Sequence, residues 1–377
     1  MITCDVLIVG GGPAGSTCAW KLREAGLDVI VIDRAVFPRD KVCGGWITPQ
    51  VVADLQLDTE AYRPGRTFQP ITGFRTGIIG GRREVQTAYG GAISFGIRRR
   101  EFDDYLLGRS GARVQPGTSI EDLRRDGGRW IVNGTFAAPM LVGAGGHFCP
   151  VARHLNDPRG PAVGPPLVVA QEVEFAVEPA AAHSFTTAPE MPELYFCRDL
   201  KGYGWCFRKQ SYINVGFGRA DSQSLPKATA EFVEFLAHRG KIPRLPSWHW
   251  RGHAYLLQDP VHRRIVDRGV LLVGDAAGLA YPESGEGIRP AIESGLLAAL
   301  TIVETGGCYT HDRLDQYETR LRARFGAEPR GRGVARILPS WLLGPIAGAL
   351  LGVPAFVRHI ALDRWFLHAD LPPLAVA

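Results

Sequence analysis

A short apolar, β-branched run from Cys4 to Val9 opens the chain, and a helical period follows it: Ala14, Cys18, Ala19 and Leu22 share one face of the segment Pro13 to Ala25. Pro13 suits a first helical position, and Gly26 supplies a stop. A second apolar run, Asp28 to Ile32, ends at Asp33. The pattern predicts strand, tight turn, helix, strand. Further on, Leu167 to Phe175 and Tyr212 to Phe217 read as strands, and Leu271 to Val273 as another. A helix is predicted from near Gly285 through Leu300, with Ile288, Ala291, Ile292 and Leu296 on one face. Pro-rich stretches at 159–166 and 243–247 read as crossings between domains.

The turn between the first strand and helix carries the first chemistry. Gly10 makes the bend, Gly12 lets the backbone approach a pyrophosphate, and Gly15 lets the helix pack against the strand. The helix N-terminus at Pro13, Ala14 and Gly15 offers free N–H groups to an anion. Asp33, roughly 20 residues past the glycines, is placed to accept hydrogen bonds from a ribose 2′-hydroxyl, with Arg34 beside it. The bland reading is a Gly-rich loop in an ordinary α/β domain. A second Gly-Asp pair, Gly274 and Asp275, ends an apolar strand more than 250 residues later. Two such sites imply a long cofactor held at both ends, FAD rather than NAD. For Asp275 two readings stand: a carboxylate reaching a ribityl hydroxyl, or a helix N-cap.

Composition narrows the class without choosing a chemistry. The 377 residues are 45% apolar and 21% charged, an ordinary globular balance. The net charge of +5 comes with no basic tract interleaved with aromatics, so nucleic acid is excluded as a partner. Seven cysteines without CxxC spacing argue against a disulfide framework or a zinc site, and no metal is expected. The first strand starts almost at Met1, leaving no room for a signal peptide, so the cytoplasm is the expected compartment. Ile337 to Val357 runs 21 residues without a charge between Arg336 and Arg358. Pro339, Pro345 and Pro354 would interrupt a spanning helix. The segment reads as a buried C-terminal helical layer, with peripheral membrane contact as the second reading.

Several blocks together resemble the geranylgeranyl reductase family of flavoproteins. Phe37 to Trp46 contains Cys43-Gly44-Gly45, similar to the family's Cys-Gly-Gly loop at the isoalloxazine. Tyr203-Gly-Trp205-Cys-Phe207-Arg208, then Gly216-Phe-Gly218, resembles its YxWxFP and GxG signature. Gly274 to Gly278, Ser284 to Arg289 and Glu293 to Gly295 are similar to its GDAAG and SGEGI blocks, and Arg99 to Asp103 to RxxFD, whose arginine meets the cofactor. The wider superfamily resembles p-hydroxybenzoate hydroxylase. The resemblance implies an α/β fold: a Rossmann-like FAD-binding domain (1–70, 95–155 and 260–305) with an inserted, mostly antiparallel β-sheet substrate domain (71–94 and 156–259). A C-terminal helical region (306–377) follows.

It also implies roles. Arg99, Cys43 and Gly44 would border the cofactor, and the helix start at Gly285, Gly287 and Ile288 would stabilise negative charge on reduced flavin. Cys43 is the candidate catalytic residue, as a proton donor or as a pocket wall; an inert packed cysteine is the competing reading. Tyr203, Trp205 and Phe207 alternate with small or polar residues and would form an aromatic wall for the substrate. Pro282 is expected over the flavin face. Arg208 and Arg289 depart from the family's proline and aromatic residue, and Arg289 is expected to receive a carboxylate or phosphate of the substrate. Gly145 stands where related hydroxylases carry an aspartate near the NAD(P)H path, so NAD(P)H or another donor is left open as the electron source.

The expected activity is FAD-dependent reduction of carbon–carbon double bonds in an isoprenoid or other apolar substrate. The alternative is a monooxygenase of hydroxylase or halogenase type, acting through an oxygen adduct at flavin C4a on an aromatic or quinone-like substrate. No WxWxIP motif supports a halogenase.

Overall fold

A computed structural model of the chain describes residues 1–156, 167–179, 185–220, 225–243, 249–257, 263–326 and 348–374. Strand Val6–Val9 is buried at every position and lies inside a six-stranded sheet. The order is Val266–Asp267, Val270–Leu272, Met140–Gly143, Val6–Val9, Val29–Ile32, Arg113–Gln115. All neighbours run parallel except the first pair. The four central strands, covered on both faces, need apolar side chains throughout, which is why their runs show no alternation.

Helix Pro13–Glu24 packs across this sheet against helix Ile288–Glu304. Their contact is close because Gly295 has no side chain: a Cβ there would lie 2.5 Å from the Ala14 carbonyl oxygen. The 274–278 segment wedges into the same junction, with Gly274 against Ala14 and Ala291. A single buried cluster, from Val6 through Leu271 to Leu297, unites these elements.

A seven-stranded sheet forms the second layer, ordered Arg251–Leu256, Leu167–Ala176, Tyr212–Arg219, Gly202–Lys209, Glu193–Phe196, Gly73–Ile78, Glu84–Ala88. It is antiparallel apart from the pairing of Glu193–Phe196 with Gly73–Ile78. Trp205 lies opposite Gly216 in the register, and a Cβ on Gly216 would overlap the indole. The spacing between the aromatic triplet and the glycines thus follows from strand pairing. Trp46–Ile47, Ser94–Ile97 and Phe68–Ile71 make a small sheet between the two layers' sequence segments.

Two boundaries differ from the sequence expectation. The helix expected from Gly285 begins at Ile288, because residues 281–286 close a loop: Tyr281 N–H donates to the Glu286 carbonyl at 3.0 Å and Gly285 N–H to the Tyr281 carbonyl at 2.8 Å. Asp275 sits in one turn of 3-10 helix, Gly274–Ala276, whose N-cap is Val273, so Asp275 is not a cap.

Within the charge-free stretch 337–357, residues 337–347 lie outside the described residues, as do 159–166 and 244–247. The rest of the stretch leads into Pro354–Phe356 and a wider, π-type helix Val357–Phe366, which buries Val357, Ala361, Leu362 and Phe366. Among the described residues no helix is long and apolar enough to cross a membrane.

Candidate active site

One cavity of about 820 Å³ runs from the Gly10 turn to the aromatic triplet of the second sheet. At the first end lie Gly10, Gly12, Pro13, Ala14, Asp33 and Arg34. Gly10 holds φ +114°, a conformation that favours glycine, and a Cβ there would overlap the Ala144 carbonyl. Gly15 does not line the cavity; a Cβ on it would overlap the Gly10 carbonyl oxygen, so its role is to let helix and turn close together. Asp33 is fixed by accepting N–H bonds from Gly11 at 2.7 Å and Ala35 at 2.8 Å. A carboxylate acceptor beside uncapped helix N–H groups is the donor and acceptor set a dinucleotide needs. Arg39 adds a guanidinium whose Nη1 is buried without a partner, as expected of a donor awaiting an anionic ligand.

The middle of the cavity is charged. Arg99 forms a two-point bond with the buried Asp103, at 2.7 Å for both contacts, and Arg39 approaches the same carboxylate at 3.0 Å. Burial opposes the Arg99 charge, but Asp103 and the neighbouring Cys43 keep it charged, above its ordinary range. Asp275 lines the cavity with His253 Nε2 3.7 Å away. Burial pushes the Asp275 carboxyl up, yet His253, Lys41 and Arg99 outweigh it and hold it below the usual range. Lys41 also lines the cavity, and burial brings its ammonium down to about 8 despite Asp275.

Cys43, partly buried, stands where this charged middle meets the aromatic end. Its loop is pinned from below. Cys43 N–H donates to Glu172 Oε2 at 2.7 Å, and Asn214 Nδ2 donates to the Cys43 carbonyl at 3.3 Å and to Glu172 at 3.1 Å. Lys209, buried, donates to the carbonyls of Gly44 and Ile97 at 2.9 and 3.0 Å and pairs with Glu174 at 2.7 Å. Burial raises Glu172 to about 7, against the pull of Lys209.

Tyr203, Trp205 and Phe207 all face the cavity, joined by Trp46, Leu194 and Phe366. Trp46 Nε1 is buried without a partner, whereas the polar edges of Tyr203 and Trp205 are used elsewhere: Tyr203 Oη donates to the Ser284 carbonyl at 2.5 Å and Trp205 Nε1 to Asn214 Oδ1 at 2.6 Å. What they present to the cavity is apolar ring surface. Trp46 and Phe366 stack with centroids 5.8 Å apart and planes 3° from parallel.

The remaining expectations divide. Gly44, Gly285, Gly287 and Ile288 line the cavity, whereas Gly274 packs just behind it. The helix start is not open to an anion throughout, because the Arg289 N–H donates to Glu286 Oε1 at 2.7 Å. Pro282 does not line the cavity: the loop turns its Ser284 to Gly287 side inward instead. Arg289, expected at the substrate, is buried outside the cavity, bonded to Glu293 at 2.7 Å and to backbone carbonyls of the C-terminal segment. Arg208 follows Phe207 on the strand, faces the opposite side and does not line the cavity. Lys41 and Trp46 lie inside the Phe37 to Trp46 block but carried no separate signal, and nothing near residue 366 marked it.

A Gly-rich turn, the Asp33 carboxylate at its edge and a continuous cavity fit a dinucleotide-dependent enzyme class, and residues 5–80 match the family model described as FAD dependent oxidoreductase. Menaquinone reductase of Mycobacterium tuberculosis is 30% identical over 365 residues, covering 91% of this chain and 85% of that protein. Geranylgeranyl diphosphate reductase of Rhodobacter capsulatus is 29% identical, covering 78% and 74%. A solved structure of a geranylgeranyl bacteriochlorophyll reductase-like protein from Thermoplasma acidophilum superposes with a TM-score of 0.77 at 22% identity, covering 98% of each chain. The chain is an FAD-dependent oxidoreductase and belongs to the geranylgeranyl reductase family.

Proposed function

We propose that this enzyme saturates carbon–carbon double bonds in the isoprenoid chain of a prenyl lipid. The observation that carries the reading is the single cavity that joins a nucleotide-binding ridge to an aromatic compartment, with Cys43 at the junction. FAD, once bound and reduced, supplies the hydride such a bond requires; the second hydrogen arrives as a proton. Gly10 to Ala14 and Asp33 hold the nucleotide portion, and Arg99 and Asp275 border the middle. Trp46, Tyr203, Trp205 and Phe207 exclude water and orient an apolar chain. Cys43 is the proton donor we assign, its loop fixed by Glu172, Asn214 and Lys209. Neither Arg208 nor Arg289 brings a charge to the aromatic end, which supports an apolar rather than an anionic group there.

The test is an anaerobic incubation with chemically reduced FAD and either geranylgeranyl diphosphate or a menaquinone, followed by mass spectrometry. A gain of one H2 per reduced bond is expected. An oxygen-dependent gain of one oxygen atom on a quinone or aromatic substrate would reject the reading in favour of a monooxygenase.

A further inference from the structure

Arg289 is among the largest fully buried side chains, and its guanidinium has four acceptors. Nε donates to Glu293 Oε1 at 2.7 Å, Nη1 to the His368 carbonyl at 3.3 Å, and Nη2 to the carbonyls of Leu371 and Pro372 at 2.8 and 3.0 Å. Arg324 reinforces the grip from the other side, with Glu293 at 2.6 and 2.7 Å and Pro372 O at 2.7 Å. Glu293 is the carboxylate bonded to both guanidiniums, and three backbone carbonyls of one short segment take the remaining donors. Further along, Leu374 N–H donates to Asp54 at 2.6 Å, and the His368 ring stacks on Tyr281 with centroids 3.7 Å apart.

This grip falls immediately after Phe366. The Phe366 ring is the C-terminal segment's contribution to the cavity, lying on Trp46 and edge-on to Tyr203 at 5.2 Å and Phe196 at 6.1 Å. Residues 357–374 are held to the aromatic compartment by the clamp, by apolar packing and by the Tyr89 Oη bond to Asp363 Oδ1 at 2.6 Å, and the clamp grips the segment beyond Phe366.

We propose that Arg289 is a positioning residue which, by clamping the carbonyls of residues 368–372, holds Phe366 against Trp46 and thereby sets the length of apolar chain the cavity accepts. The proposal rests on the prenyl-lipid reading above. Arg289 touches no substrate; it acts through Phe366, which does. A loosened clamp lets Phe366 leave Trp46 and lengthens the compartment. A planar guanidinium is required for this, because one lysine ammonium cannot reach Glu293 and three carbonyls at once.

The experiment measures binding of prenols of graded length, from geraniol to a hexaprenol, to the FAD-loaded enzyme by calorimetry. Phe366→Ala is expected to shift the preference toward longer prenols by about tenfold, the discrimination a pocket gains or loses with a small change in apolar volume. Arg289→Met is expected to shift it the same way, Arg289→Lys less, and the Arg289→Met/Phe366→Ala pair no further than Phe366→Ala alone. Truncation after Asp370 removes two of the clamped carbonyls with Arg289 intact, and serves if Arg289→Met does not fold; the same shift is expected. Additive effects of the pair, or an unchanged length preference in Phe366→Ala or the truncation, overturn the proposal. Binding with the expected shifts but without reduction overturns only the reductase reading. Absence of prenol binding to the wild type overturns both.

Discussion

The two ends of the cavity are built in opposite ways. The nucleotide end is built chiefly on backbone, Gly10, Gly12 and the amides of one helix, with the Asp33 carboxylate beside them, all within about 25 consecutive residues of the sequence and all held by a parallel sheet. The aromatic end is made of side chains brought from four distant places, Trp46, Leu194, the Tyr203 to Phe207 strand and Phe366. At Gly10 and Gly15 the backbone leaves no room for an added Cβ, whereas side chains leave room to alter shape by substitution. Under the function we propose, the first end fixes the cofactor and the second is where substrates are told apart.

The largest effect should come from breaking the backbone end. A Cβ on Gly15 overlaps the Gly10 carbonyl, so Gly15→Val is expected to prevent folding, read as loss of soluble protein and of the thermal transition. Gly12 has only the tip of the Arg39 side chain near its added Cβ, at 3.4 Å, and faces the cavity. Gly12→Val is therefore expected to fold with a near-normal melting temperature yet bind no FAD, read from the flavin absorption of the purified protein. Flavin bound normally to Gly12→Val would break the assignment of this end.

At the junction, Lys209 is saturated by two carbonyls and Glu174. Lys209→Met removes one of the two charges that offset Glu174, the other being Arg98 at 2.9 Å, and takes the Lys209 donor from the two carbonyls. Because Arg98 stays paired with Glu174, the expected cost is that of buried acceptors losing their donor, about 1–3 kcal/mol, and denaturant unfolding measures it. A loss below about 1 kcal/mol would show that the Cys43 loop does not depend on this anchor. Cys43→Ala, by contrast, leaves the loop's backbone bonds to Glu172 and Asn214 in place. It is expected to keep FAD and stability while slowing reduction by about a hundredfold or more if the thiol delivers the proton, and only severalfold if it is a wall. Single-turnover kinetics of the reduced enzyme decides between them.

The same contrast explains what was legible in the sequence. At the Gly10 end position follows from spacing, so the turn at Gly10, the close packing at Gly15 and the placement of Asp33 beside the turn could be read from pattern. The Tyr203, Trp205 and Phe207 alternation was also local, since one strand puts all three on one face. Phe366 was not readable: its position depends on a segment returning across the fold, and an isolated phenylalanine in an apolar stretch carries no mark of that. Arg289 was misassigned for a related reason. Its neighbours suited the cofactor, but a helix places successive side chains about 100° apart, and Arg289 points away from the cavity toward the C-terminal carbonyls. Glu172 and Asn214 were missed because two strand residues that meet a loop 129 and 171 positions earlier leave no short-range signature.

The smallest expected effect tests whether the support beneath Cys43 is electrostatically tuned. Burial raises the Glu172 carboxyl from 4.5 to about 7 in the folded protein, so the native state retains a proton there that the unfolded chain releases. Between those values the native state binds more protons, and stability falls as pH rises. The contribution is fully present below about 4.5 and lost as pH passes through about 7. Asp54 and Glu286, both raised to about 7 by burial, slope the same way, while Asp275, held low by His253 and Lys41, gives its loss only in acid. Glu172→Gln keeps an acceptor for the Cys43 N–H and cannot ionise. It is therefore expected to flatten the fall in melting temperature between about pH 5 and pH 8, leaving the part due to Asp54 and Glu286. An unchanged slope would mean that Glu172 is ionised throughout, and that Lys209 serves both carboxylates beneath the Cys43 loop rather than Glu174 alone.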